Sequence, residues 1–510
     1  MKPEDIFDAI THIRDGQTQL EEPPRKKRRW PWIAAAAALA LTAGIFLLNR
    51  TPVPLHTGTA QLASARYPEA DSRMEDIHYT LFERELGPFG DESASPSPDQ
   101  DDGSAYYSAR RLLKNWDEAL PLFQQFCKSS AREFLSAGDP GDALEAVESV
   151  QNPNRIYSPL NLYLALSMAA EITEGDTRQQ ILDLLQSSGM EELRDQTKGL
   201  WTLCCQEQDG AYCRAYNSLW LSNRVDYQQP TLDLLAEEHF ADSFRGSPGT
   251  QEYDQLLQNW VNEHTGGLLE EQAGGLHMDE DMAVTLMSTL EYYSPWSMPF
   301  NSEGNTQAVF HSPDGDVKQE FMNSTGTNTY YRGEHFGATA KSLNHPEQMV
   351  FILPDEGYSP EDLLAEDSDL WDFLDAVGRE TAAPWHEHWE NNEWVKLHLS
   401  VPKFDVSSNL DLTGGLKALG VTRAFDLEES DFSPLTTRYP VAINKASHAC
   451  RVMIDEEGCT GASFVELGAF CGAEEKEPRD LYFTLDRPFL FVIYNRYVPL
   501  YMGVVNQPYS

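Results

Sequence analysis

The chain has 510 residues, of which 41% are hydrophobic and 11% aromatic. This composition supplies a large core and excludes a globally disordered protein. The formal net charge of −43 excludes nucleic acid as a partner and disfavours anionic lipid surfaces, because like charges repel, whereas cationic partners would be attracted at low salt.

The first predicted element is an uncharged run of 20 residues at positions 30–49, WPWIAAAAALALTAGIFLLN. As a helix rising 1.5 Å per residue it would be about 30 Å long, which matches the hydrocarbon core of a bilayer. Basic residues fill positions 25–29, so the positive-inside tendency predicts a cytoplasmic tail over residues 1–29 and an extracytoplasmic remainder. We therefore expect a single-pass signal anchor in the cell membrane. The alternative is a signal peptide cleaved near residues 63–65.

Residues 50–105 connect this predicted transmembrane helix to the rest of the chain. The stretch at 91–104, DESASPSPDQDDGS, is rich in Ser, Pro and Asp, which is typical of a solvated linker. We predict a largely disordered extracytoplasmic linker here and one large domain over residues 106–510.

The large domain mixes helix and strand patterns. Helical apolar spacing covers residues 115–135 and 160–185, and Ser158-Pro159 is a cap followed by a first-turn proline. Alternating or β-branched runs at 348–353, 395–401 and 490–494 predict strands. Because helices and strands do not alternate regularly, the sequence predicts an α+β fold rather than a doubly wound sheet.

Familiar catalytic and cofactor motifs are absent from the sequence. There is no phosphate-binding or dinucleotide-binding glycine loop, no G-x-S-x-G elbow and no H-E-x-x-H pair. The most metal-like cluster is His386, Glu387 and His388 with Glu390, and its Trp- and Glu-rich surroundings favour a surface connection. We expect no metal and no cofactor, and an inhibitor or binding protein rather than an enzyme.

The seven cysteines contain no C-x-x-C pair that would indicate zinc or thioredoxin chemistry, and they are too few for a disulfide scaffold. A local bridge from Cys213 to either Cys204 or Cys205 is a hypothesis for an oxidising compartment. The other cysteines are Cys127, Cys450, Cys459 and Cys471.

A series of segments along the large domain carries a family resemblance. They are NRIYSPLNLYLALSMAAEITEGDTRQQI (154–181), NSLW (217–220), YDQLLQNWVNEHT (253–265), MVFILPDEG (349–357), LHLSVPKF (397–404), LKALGVTRAF (416–425), INKASHACRVMIDEEG (443–458) and MGVVN (502–506). In this order the segments resemble the serpin family of serine protease inhibitors, in a bacterial-type, membrane-anchored form. The resemblance implies three β-sheets, about nine helices and an exposed reactive-centre loop. It also implies a serine protease as the partner in a covalent complex, and we expect a monomer.

The resemblance places the hinge of the reactive loop after the strand that ends at residue 454. The hinge residues are Glu457, Gly458, Cys459, Thr460, Gly461, Ala462 and Ser463. Glycine supplies backbone freedom, and small side chains let a new strand enter a preformed core. Thr460 and Gly461 replace the family's usual glutamate and alanine, yet nothing bulky intrudes. An inhibitor is therefore expected, with a non-inhibitory binding module at the cell surface as the alternative.

The scissile bond is expected about fifteen residues into the loop, counted from Gly458, between Gly472 and Ala473. Phe470 and Cys471 are the alternatives, and counting back from the segment at 486–489 ends near Glu477. The small, apolar surroundings suit an elastase- or subtilisin-like protease, with chymotrypsin-like cleavage at Phe470 as the second choice.

The resemblance also predicts a polar cluster that governs opening of the main sheet, formed by Ser158, His448 and Ser288. Ser288 replaces an asparagine of the family, which leaves the usual hydrogen bonds without one partner. His448 could equally be an ordinary buried histidine. A disulfide between Cys459 and Cys471, which flank the insertable stretch, is a further hypothesis, because it would lock the loop out of the sheet.

Overall fold

The computed structural model describes residues 59–68, 105–114, 116–136, 154–208, 210–344, 347–380, 391–437, 440–444, 446–459, 478–495 and 498–509. The predicted cytoplasmic tail, the predicted transmembrane helix and the metal-like cluster around His386 lie outside these residues. Within the described ranges, no helix combines the length and apolar character needed to cross a bilayer.

The described residues contain eleven α-helices, where about nine were expected. They are α1 (Ala105–Lys114), α2 (Trp116–Leu135), α3 (Pro159–Glu171), α4 (Gly175–Leu184), α5 (Met190–Cys204), α6 (Gln229–Glu238), α7 (Gln251–Glu263), α8 (Glu270–Gly274), α9 (Pro360–Leu363), α10 (Leu370–Glu380) and α11 (Thr413–Ala418).

The described strands form three sheets. The main sheet has the order β1-β5-β4-β6-β14, with β3 beside β4. Its strands are β1 (Ala60–Ala63), β3 (Glu207–Gln208), β4 (Ala211–Ser222), β5 (Ala241–Gly246), β6 (Val284–Pro295) and β14 (Gly458–Cys459). A separate two-stranded sheet pairs β12 (Phe404–Asp411) with β13 (Ser447–Ile454).

The third sheet has nine strands in the order β15-β11-β8-β9-β10-β16-β17-β2, with β7 beside β8. Its strands are β2 (Arg155–Tyr157), β7 (Thr306–Ser312), β8 (Gly315–Arg332), β9 (Phe336–Ser342), β10 (Glu347–Pro354), β11 (Asn392–Pro402), β15 (Asp480–Thr484), β16 (Phe489–Asn495) and β17 (Val498–Val505). The strands predicted at 348–353, 395–401 and 490–494 lie in β10, β11 and β16, so these three predictions are confirmed. Strands β16 and β17 are buried at every described position, because both of their faces are covered.

The predicted helical stretch at 160–185 is two helices rather than one. Helix α3 starts as the Ser158-Pro159 pattern predicts, since the Ser158 hydroxyl accepts a hydrogen bond from the Asn161 backbone N–H at 3.1 Å. The chain then breaks at Gly175, whose φ of +58° is a left-handed conformation that favours glycine. Helix α3 is buried on nearly all sides and therefore lies in the core beneath the sheets.

Residues 59–68, which we call the N-terminal strap, lie against the domain although they fall within the predicted linker. Strand β1 pairs antiparallel with β5, so it becomes the edge of the main sheet. The Asp242 carboxylate accepts hydrogen bonds from the Gln61 side chain at 3.0 Å and from the Ala65 backbone at 2.9 Å. The Tyr67 ring packs among three aromatic rings, those of Trp201, Tyr216 and Phe240. The domain thus starts well before residue 106.

Candidate functional site: a cleft beside strand β6

A cleft separates the main sheet from the β12–β13 pair. Strand β6 pairs with β4 on one side, and on the other side it pairs only with β14, at its last two residues, within the described part of the chain. Strand β13 likewise pairs only with β12 there. The two strands therefore present open backbone edges to the cleft, and such edges are templates for another strand.

The cleft holds a cavity of about 310 Å³. Its walls are residues 287–290 of β6 and 447–453 of β13. Helix α3 supplies Asn161 at its inner side, and residues of the α7–α8 region, among them Thr265 and Gln272, cover it. The cavity is thus an elongated space between two strand edges, which is the shape that an additional β-strand requires.

The first residues of the predicted hinge already occupy one end of the cleft. Gly458 and Cys459 pair antiparallel with Pro295 and Ser294 of β6. The backbone carbonyl of Glu457 accepts a hydrogen bond from the Trp296 N–H at 3.0 Å. The Cys459 side chain is 3% exposed and lines the cavity, so it points into the core.

Glycine is required at position 458 by close approach of two backbones rather than by an unusual φ. A Cβ there would lie 2.6 Å from Pro295 Cα and 2.6 Å from Ser294 O, closer than real Cβ contacts allow. The hinge can therefore seat beside β6 only because residue 458 has no side chain.

Substituting Gly458→Ala is expected to expel the hinge from the end of the cleft. Hydrogen exchange at the Trp296 amide, which donates to Glu457, should then become faster, because protection follows local opening. Gly326→Ala is the matched control, since Gly326 lies in strand β8 with no atom within 4 Å of an added Cβ. Equal exchange in the two variants would contradict the steric argument.

An ion pair beside the hinge was not found by the sequence reasoning. Lys403 Nζ lies 2.8 Å from Glu456 Oε1, and the Asn305 side chain donates to the same carboxylate. Burial raises the pKa of Glu456, but the hydrogen bonds from Lys403 and Asn305 outweigh it and lower the pKa overall. Both charged residues lie in segments that carried the family resemblance, yet their contact joins positions more than fifty residues apart.

The three residues of the predicted sheet-opening cluster lie around the cavity. His448 Nε2 accepts a hydrogen bond from the Ser158 backbone N–H at 3.0 Å, which requires a neutral imidazole. Ser288 contacts Asn161 rather than the other two: its hydroxyl donates to Asn161 Oδ1, and Asn161 Nδ2 donates to Ser288 O at 3.2 Å.

Asn161 therefore supplies the amide that the family resemblance expects at position 288. Asn161 lies on helix α3 and Ser288 lies on strand β6. A hydrogen bond between this helix and this strand is therefore retained, with the asparagine on the helix instead of on the strand. Because Ser158 caps the same helix, a chain of hydrogen bonds runs from His448 on β13 through Ser158 and Asn161 to Ser288 on β6. These bonds join the two walls of the cleft. The feature of the sequence that could have predicted this role is Asn161, which lies three residues after the capping Ser158.

Stability is expected to fall between pH 7 and pH 5 because of His448. Burial lowers the pKa of His448 from 6.5 to about 4, so the unfolded chain binds the proton first and stability is lost as the pH falls below 6.5. At pH 5 the loss is about 2 kcal/mol. Urea unfolding at both pH values should show this difference, and His448→Gln should remove most of it. A pH dependence unchanged in that variant would contradict the assignment.

The structure does not describe the rest of the predicted loop. The hinge residues Glu457, Gly458 and Cys459 are described, whereas the others lie outside the described residues, as does the scissile region. The residues outside are Thr460, Gly461, Ala462, Ser463, Phe470, Cys471, Gly472 and Ala473. The hypothesis of a Cys459–Cys471 disulfide therefore stays a prediction.

Comparisons with known proteins agree with this architecture. The family model described as "Serpin (serine protease inhibitor)" matches residues 143–508. An alpha-1-antitrypsin-like protein of Tamias sibiricus is 26% identical over 368 residues, covering 70% of this chain and 83% of that protein. An uncharacterised serpin-like protein of Thermococcus kodakarensis is 25% identical over 374 residues, covering 70% of this chain and 81% of the relative.

Two solved structures share the fold at low identity. The native thermophilic serpin tengpin has a TM-score of 0.61 at 21% identity and covers 81% of this chain and 96% of its own. Human thyroxine-binding globulin has a TM-score of 0.61 at 18% identity, and the match covers 77% of this chain and 99% of the globulin chain. With a family model that spans most of its length and an architecture to match, the chain belongs to the serpin family.

Proposed function

We propose that this protein inhibits serine-type endopeptidases by suicide-substrate trapping. The observation that carries the proposal is the pair of strand edges at β6 and β13 that are open among the described residues, with Gly458 and Cys459 already paired to one of them. A longer piece of the same loop would continue this strand in the same direction. The family to which the chain belongs consists in general of protease inhibitors, which supports the same function.

The proposed reaction begins when the serine of the protease attacks the carbonyl of Gly472. An acyl-enzyme forms, and the amine of Ala473 leaves with a proton. The freed loop then enters the cleft as a strand antiparallel to β6 and forms hydrogen bonds with both edges. Since neighbouring strands lie about 4.8 Å apart, the two edges must stand about 9.6 Å apart to accept it.

The loop's chemistry is compatible with this insertion. Side chains alternate between the faces of a strand, so the buried Cys459 defines the inward face. Gly461 and Ser463 would follow it inward, and both are small. The separated edges of the native state would thereby be satisfied after cleavage, which makes the cleaved form the more stable one.

We further propose that the inhibitor domain is held at the cell surface by the helix at 30–49, facing away from the cytoplasm. The apolar run and its basic flank support this location. The proposed partners are an elastase- or subtilisin-like protease and the membrane, with the protein acting as a monomer.

Incubation of the full-length chain with an elastase-like and a subtilisin-like protease tests the function. A complex that survives a denaturing gel, together with a rise in the thermal unfolding temperature after cleavage, is the expected result. Clean cleavage near Gly472 without a complex and without a gain in stability would instead support the non-inhibitory binding module.

A further inference from the structure

Three side chains with the chemistry of an acyl-transfer site lie together on the nine-stranded sheet. Strand β11 supplies His398, which lies opposite Thr325 of β8. The neighbouring strand β15 supplies Asp480, two residues before Tyr482, which is the residue paired with His398. The Thr325 hydroxyl is 3.1 Å from His398 Nδ1, and Asp480 Oδ1 is 2.7 Å from His398 Nε2. A hydroxyl, an imidazole and a carboxylate are thus joined in one chain of hydrogen bonds.

Asp480 decides which nitrogen of His398 carries the proton. Hydrogen bonds from His398 and Lys396 lower the pKa of Asp480, so its carboxylate is ionised at neutral pH and can only accept hydrogen bonds. His398 Nε2 must therefore donate to it, and in the neutral imidazole this leaves Nδ1 to accept from the Thr325 hydroxyl. A hydroxyl, a base in contact with it and a third group that orients the base are the parts that activate a nucleophile in acyl transfer.

We propose that Thr325 is a self-acylation site, in which His398 acts as the general base and Asp480 holds the imidazole in the tautomer that accepts the hydroxyl proton. The acyl donor is an activated aryl ester. The site belongs to the nine-stranded sheet, whereas the cleft lies beside β6 of the main sheet, so the proposal does not depend on protease trapping.

The reaction forms one ester and breaks another. The Thr325 oxygen attacks the carbonyl carbon of the donor while its proton passes to His398 Nδ1. The bond between the carbonyl carbon and the aryl oxygen then breaks, and the aryloxide leaves with the electron pair. The imidazolium gives its proton to the aryloxide or to water. The hydroxyl of Thr325 has then become an ester, and the donor has become a phenol.

The exposure of the site determines which donors can react. Thr325 and Asp480 are both exposed, so a donor has free access to the hydroxyl. The same water weakens the electrostatic stabilisation of the oxyanion, because the local dielectric is high. The donor must therefore carry a good leaving group.

Two neighbouring side chains favour an aryl ester as that donor. The Tyr482 ring stacks on the His398 ring with centroids 4.4 Å apart and is itself 76% exposed, so it offers an aromatic leaving group a surface to pack on. Lys396 is two residues before His398 and therefore lies on the same face of β11. Its ammonium is 3.1 Å from Asp480 and supplies a positive charge for the developing oxyanion.

Incubation of the full-length chain with para-nitrophenyl acetate, followed by digestion and mass spectrometry, tests the site. We expect one acetyl group on Thr325 that hydroxylamine removes, because it is bound as an ester, whereas acetyl groups on lysines are amides and remain. Thr325→Val should abolish this label. His398→Ala should slow its formation at least about a hundredfold, the usual contribution of a general base. An unlabelled Thr325, or equally fast labelling in His398→Ala, would overturn the proposal.

Thr327 is the matched control. It lies two residues from Thr325 and therefore on the same face of β8, but it is opposite Lys396 instead of His398. Equal labelling of the two threonines would show that exposure alone decides, and it would overturn the proposal.

A second pair of variants tests Asp480 as a positioning residue. Asp480→Asn should slow the labelling of Thr325 at least about tenfold, because an amide no longer fixes the tautomer of His398. Asp480→Glu should restore most of the rate, since it returns the carboxylate. Thermal unfolding should show that both variants are folded. Labelling of Asp480→Asn at the unaltered rate would overturn the role of Asp480.

Discussion

The proposed trapping function predicts that replacing Ser463 with arginine turns the protein into a substrate of the protease. Ser463 is four residues beyond the buried Cys459, so strand alternation directs its side chain inward when the loop inserts. A guanidinium at that position would have to enter the core without a partner, which costs several kcal/mol, and it would overpack the cleft. Insertion would then be slower than hydrolysis of the acyl-enzyme, and the fraction of protease trapped should fall at least about tenfold.

The matched control for this prediction is Ala462→Arg. The neighbouring side chain points outward after insertion, so the same charge stays in water and trapping should be retained. Both variants are incubated with the protease, and complex and cleaved product are quantified on a denaturing gel. If both variants trap the protease equally well, the loop does not insert in the register set by Cys459.

Replacing Tyr67 with alanine is expected to lower the free energy of unfolding by about 3 kcal/mol, the typical loss for a large side chain truncated in a packed site. Its ring centroid lies 5.8 Å from that of Trp201 on helix α5 and 5.9 Å from that of Phe240, which precedes strand β5. The ring thus fastens the N-terminal strap to both elements. Without it, β1 should separate from β5 and leave a new unpaired edge, which favours association between chains.

Tyr482→Ala is the control, because that tyrosine is 76% exposed and its loss should change stability by no more than about 0.5 kcal/mol. Urea unfolding measures the stability of both variants, and analytical ultracentrifugation detects association. Equal losses of unfolding free energy in the two variants would show that the Tyr67 ring stabilises the fold no more than an exposed tyrosine does. The result would also decide whether residues 59–68 stabilise the serpin domain.

Local patterns were sufficient for many individual elements. Ser158-Pro159 predicted the start of α3 because capping depends on residues within one helical turn. The run of β-branched and aromatic residues at 490–494 predicted a strand because consecutive residues of these types all favour the extended conformation. Local spacing did not separate α3 from α4, since the interruption depends on the left-handed conformation of Gly175.

By itself the sequence determined the family, the order of the segments and the positions of Gly458, Ser158 and His448. Each of these can be recognised from a short stretch of consecutive residues. Only the tertiary structure decided which strand edges are open within the part of the chain that it describes, that Lys403 pairs with Glu456, that Asn161 replaces the missing asparagine and that the strap joins the main sheet. The reason is physical. These contacts join residues far apart in the chain, and each depends on the packing of whole elements rather than on the preference of any one residue.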